Sequence, residues 1–104
     1  MSETTQQHNA RRVVKTWADN NHTGAWGTAA HERSPSWLIL RAAEAQTEVS
    51  RTADRCADAL LVEGFLPGHA EVRTLRGIAS TAAQAANRLN QWADALAEAE
   101  MEMP

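Results

Sequence analysis

The sequence predicts an all-α protein: a long antiparallel helical hairpin, about 35–63 and 69–101, preceded by an amphipathic helix over about 4–20. Two apolar stripes and one turn carry that reading. Val72, Leu75, Ala79, Ala82, Ala86, Leu89, Ala93 and Leu96 alternate steps of three and four, which gathers them on one helical face. Leu38, Ala42, Ala45, Val49, Thr52, Cys56 and Ala59 do the same upstream. Between the stripes lies Gly64-Phe65-Leu66-Pro67-Gly68, where glycine and proline stop a helix. So short a connection between long helices folds them back antiparallel, and the whole forms a three-helix bundle.

The first helix opens at Thr4, which with Gln7 fits a capping box, and carries Ala10, Val13, Val14, Trp17 and Ala18 as its apolar stripe. Asn20, Asn21 and Gly24 close it, since asparagine and glycine tolerate the left-handed conformation. A connector follows to about residue 33, anchored by Trp26 between small residues, with room for one helical turn over 28–32.

The second helix has the sharpest start. Ser34 is a preferred N-cap, and Pro35 suits the first helical position, where no amide hydrogen is required. Its polar face holds Arg41, Glu44, Glu48, Arg51, Arg55 and Asp58. The third helix begins near His69 with Glu71 in its first turn, favoured by the positive end of the helix dipole. Arg88, Gln91 and Ala95 fall on its polar side. Pairing across the turn places Trp37 near Trp92 and Leu96, so Trp17, Trp26, Trp37 and Trp92 are expected to cluster. In the middle, Ala79, Ala82 and Ala86 facing Ala45, Val49 and Thr52 permit close backbone approach.

At 104 residues the chain amounts to one helical domain, 1–104, near the small end for a self-sufficient core. Alanine makes up about a fifth of it, so each buried side chain contributes little, and a second copy or a partner is expected to complete the core. A net charge of -3 gives no bulk attraction to nucleic acid or to anionic membrane. No apolar run approaches the roughly 20 residues needed to span a bilayer, and the N-terminus lacks the features of a signal peptide. One cysteine, Cys56, has no partner for an internal disulfide. A cytoplasmic protein is expected. Lys15 is the sole lysine among ten basic residues, a bias that with the alanine content points to GC-rich coding DNA. Together with the small size it fits an accessory or regulatory protein of phage or mobile-element origin.

Chemistry-bearing groups are sparse. His8, His22, His31 and His69 lack the i, i+4 spacing that brings two imidazoles to one metal. Glu44 and Glu48 share a face and raise the alternative of a metal-dependent helical-bundle hydrolase, but such sites need further carboxylates or a Glu-x-x-His from a facing helix. Their neighbours Arg41, Arg51 and Arg55 make an ion-pair face the simpler reading. Cys56 sits among small apolar residues and reads as buried and inert. Neither a nucleophile elbow nor a glycine-rich phosphate loop is present, so no catalysis, cofactor or metal is expected. Arg11, Arg12 and Lys15 on the first helix and Arg73, Arg76 and Arg88 on the third raise a second alternative, a nucleic-acid-binding regulator. Interspersed Asp19, Glu71 and Asp94 weigh against it.

Three features point instead to protein interaction. Ile78, Ala85, Trp92 and Ala99 repeat every seven residues beside the main stripe, so the third helix offers more apolar surface than one neighbour covers. Phe65 and Leu66 are apolar at a turn, where polar residues are the rule. Gly77 lies mid-helix on the outward side, where a neighbouring backbone can approach closely. The expected function is a non-catalytic protein-interaction or oligomerisation module, with Phe65, Leu66, Ile78, Ala85 and Trp92 as partner-binding residues and a protein or a second copy as the partner.

Overall fold

The structure, a computed structural model, describes residues 4–21 and 34–102. They form three helices, α1 (Thr5–Asn21), α2 (Pro35–Val62) and α3 (Ala70–Met101), and no strand among the described residues. These bounds lie within a residue of those expected. None of the described helices is long and apolar enough to cross a membrane. The connector around Trp26 lies outside the described residues.

The helix ends are built by the side chains that mark them in the sequence. Thr4 and Gln7 close a reciprocal capping box: the Gln7 amide donates to Thr4 Oγ1 at 3.0 Å, and the Thr4 amide donates to Gln7 Oε1 at 2.9 Å. At α2 the Trp37 amide donates to Ser34 Oγ at 3.3 Å. The last turn of α2 is a Schellman motif, in which the Phe65 amide reaches Leu60 O at 3.0 Å and the Gly64 amide reaches Leu61 O at 3.1 Å. Gly64 takes φ = 102°, a conformation that a side chain would strain. His69 caps α3 with its ring, Nδ1 accepting from the Glu71 amide at 3.1 Å.

The chain divides into two compact units, Met1–Arg41 with Leu89–Pro104, and Ala42–Arg88. In the first unit three helix segments share one core. Ala10 and Val14 of α1 and Leu96 of α3 are fully buried with Ala99, and Val13, Trp17, Ile39, Trp92 and Ala95 pack against them. Ala95 therefore belongs to this core, not to a polar side, because α1 covers that part of α3. Trp17 and Trp92 pack on the same core, and Trp37, 38% exposed, lies beside Ala93 and Ala97 with the Arg41 guanidinium 5.1 Å over its ring. Polar links hold the unit at its edges. Arg11 Nε pairs with Glu102 Oε2 at 3.0 Å, and Glu100 accepts from the Ser36 hydroxyl and, at 3.1 Å, from the Ser36 amide in the first turn of α2. A carboxylate at that position also complements the helix dipole.

The second unit is a two-helix hairpin whose interior is alanine. Ala43, Ala53 and Ala57 of α2 and Ala79, Ala82 and Ala86 of α3 are buried, and Val72 is the one larger side chain buried with them. Every member of the predicted α3 stripe is buried or half-buried. On α2 the interior face is rotated by one residue from the expected one. Ala43, Gln46, Ser50, Ala53, Ala57 and Leu60 turn inward, while Ala45, Val49, Thr52, Cys56 and Ala59 are exposed. The reason is close packing. Ser50 Oγ donates to Ala79 O at 2.8 Å, so a small polar residue occupies the interface by reaching the opposite backbone. Cys56 is consequently exposed rather than buried.

Candidate functional site

The rotation of α2 gives the second unit two unlike flanks. On one, Arg76 of α3 reaches across to α2, donating through Nη1 to Asp54 Oδ1 at 2.8 Å and through Nη2 to Asp58 Oδ1 at 2.7 Å. These two hydrogen bonds, the one to Asp54 first, raise the Arg76 pKa above its ordinary value. All three side chains are solvent-exposed, so the cluster fixes the pairing of the helices more than it stabilises them.

The opposite flank follows from the register. Ser50 and Ala79 meet at the interface, and the residues preceding them, Val49 and Ile78, fall on the side away from Arg76. Both are large for exposed positions, at 44% and 43%. Around them α2 presents Ala45, Thr52, Cys56 and Ala59, and α3 presents Thr74, Thr81 and the half-buried Ala85. None of these side chains is charged. Glu71 and Arg88 bound the surface along α3. In heptad terms Ile78 and Ala85 occupy the position that Trp92 and Ala99 occupy further along the same helix. There the equivalent residues are covered by α1, while in the second unit nothing described covers Ile78.

The expected partner-binding residues are thus distributed. Ile78 and Ala85 lie on the uncharged flank. Trp92 is half-buried in the core of the first unit. Phe65 and Leu66 stand at the turn, Leu66 73% exposed and Phe65 with its ring edge-on to His69, 4.8 Å between centroids at 77°. Val49 was missed as a surface residue because its heptad spacing with Leu38 and Ala42 fits a core stripe equally well. In the first unit, Trp37, Leu40, Ala93 and Ala97 line an open apolar groove of about 330 Å³ that extends to Ser34, Ser36 and Asp94.

Glu48 pairs with Arg51 at 3.3 Å, one turn along α2. Among the described residues no three His, Cys, Asp or Glu side chains gather closely enough to hold a metal ion. Of the arginines considered for nucleic acid, Arg11 is engaged by Glu102 and Arg76 by Asp54 and Asp58. Gly77 meets no other group: a Cβ added there has no atom within 4 Å. Comparison with protein-family models, with curated proteins and with solved structures gave no match.

Proposed function

We propose that the protein is a non-catalytic helical interaction module, a small accessory or regulatory protein that docks a helical protein surface on the flank of its second unit. The observation carrying this reading is the exposure of Val49 and Ile78 on an uncharged surface, next to an interior built from alanine. Fully burying a side chain of that size contributes roughly 1.5–3 kcal/mol, of which Val49 and Ile78, at 44% and 43% exposure, have somewhat under half still to gain. Part of the hairpin's apolar burial is therefore unrealised on this flank, as it is at Val62 and Leu66 beside the turn. Small neighbours such as Ala45 and Thr52 leave room for an approaching helix between them.

Purification from the native host of the wild type beside a Val49→Lys/Ile78→Lys variant tests the reading. Lysine has higher helix propensity than valine or isoleucine, so the variant keeps its helices while placing two charges on the flank. A protein held by the wild type and released by the variant is expected. Nucleic acid or stoichiometric metal recovered equally with both would contradict it, as would unfolding of the variant, which would make Val49 and Ile78 part of the intramolecular core.

A further inference from the structure

We infer that the helical surface docked on this flank is the same flank of a second copy, related by a two-fold axis that crosses the hairpin at the level of the Ser50–Ala79 hydrogen bond. The inference rests on the proposed interaction function and names its partner. In such a pairing each helix runs antiparallel to its own copy, so residues equidistant from the axis meet. On α3, an axis between Ala79 and Ser80 sets Ile78 opposite Thr81 of the second copy, Ala85 opposite Thr74, and Glu71 opposite Arg88. On α2, an axis between Ser50 and Arg51 sets Val49 opposite Thr52, Ala45 opposite Cys56, and Ala42 opposite Ala59. Ile78 and Val49 each meet a threonine, the other pairs join small residues, and each end of the uncharged flank brings a carboxylate to a guanidinium.

The two axes belong to separate helices, yet they describe one operation. Ser50 and Ala79 are joined by a 2.8 Å hydrogen bond, so both midpoints lie at one level of the hairpin. The other flank has no such self-match. Arg76 already binds Asp54 and Asp58 there, and a second copy would set like clusters against each other. α1 is not a competing occupant within the chain, because Ala10 and Val14 are fully buried in the first unit.

Two measurements on the purified full chain decide this. Sedimentation should find dimers at micromolar concentration. Arg88→Glu should weaken them about tenfold by setting two carboxylates together at each end, and the exchanged Glu71→Arg/Arg88→Glu variant should recover most of that loss. In the second measurement, Ala45→Cys under mild oxidation should yield a dimer in which the introduced thiol is disulfide-bonded to Cys56 of the other copy, found by peptide mapping. The two thiols of one chain lie eleven residues apart on one helix, roughly 16 Å, beyond the reach of an internal bridge. Ala42→Cys, which faces Ala59, should not pair with Cys56. A monomeric wild type overturns the inference: with Cys56 freely alkylated, the interaction function stands and the flank awaits a foreign helix, and with Cys56 shielded, the flank is covered within the chain and the interaction function falls with it. Dimers indifferent to the charge exchange, or bridged between like positions alone, overturn it as well.

Discussion

The first unit completely buries Val14 and Leu96 among three helix segments, whereas the second buries alanines and Val72 between two and leaves Val49 and Ile78 outside. The same helices, α2 and α3, contribute to both. What differs is the number of neighbours. Where α1 is present, the heptad position of Trp92 and Ala99 is covered, and large side chains gain their burial energy within the chain. Where only two helices meet, small side chains bring the backbones close enough for Ser50 to bond Ala79, and the bulk is displaced to the surface. A hairpin of this kind can be specific in its pairing without being complete in its burial.

The largest expected effect comes from the core of the first unit. Leu96→Ala removes a fully buried side chain and should cost about 2–5 kcal/mol in urea unfolding. A loss below about 1 kcal/mol would break the contrast by showing that this core is no better packed than the alanine hairpin. Next is a size test in the second unit. Ala86→Leu forces extra methylenes into the closely packed interface and should cost about 1–3 kcal/mol, while the same change at exposed Ala83 should stay within about 0.5 kcal/mol of neutral. Equal stability of the two variants would mean that the interior is loose.

Single contacts and single methyls have smaller effects. Ser50→Ala keeps the size but removes the donor to Ala79, and thermal unfolding should report a loss of about 1 kcal/mol. If the variant is unchanged, shape alone sets the pairing of the helices. Gly77→Ala should stabilise by up to about 1 kcal/mol, because the new methyl meets open space and alanine is the better helix former. A destabilised variant would reveal a backbone approaching Gly77, as the sequence alone led us to expect.

The elements were legible because their ends are written in single residues: Thr4 and Gln7, Ser34, and Gly64 each perform the role their chemistry dictates, while the ring of His69 caps α3 in a role the sequence did not mark. The α3 face was legible too, since eight positions agree without interruption. The α2 face was not. In an alanine-rich helix two stripes one residue apart can both look apolar, and the true one contains Gln46 and Ser50, so counting hydrophobic residues selects the wrong stripe. A serine that donates to an opposing backbone carbonyl is an interior residue, a property that depends on the distance between helices and not on the sequence of either. The flank followed the same logic. Ile78 and Ala85 could be read from the third helix, but Val49 and Cys56 joined them only once the rotation of α2 was known.

Hydrogen exchange measured segment by segment at increasing protein concentration tests most directly whether the second unit is completed from outside. Amides of residues 43–60 and 72–86 should gain protection as concentration rises through the micromolar range, reaching about tenfold when free protein exceeds the dissociation constant by a similar factor. Residues 10–17 and 92–99 should change less, since their core is filled within the chain. Protection of 43–60 and 72–86 that already equals that of the first unit at the lowest concentration, and does not change with dilution, would contradict the account.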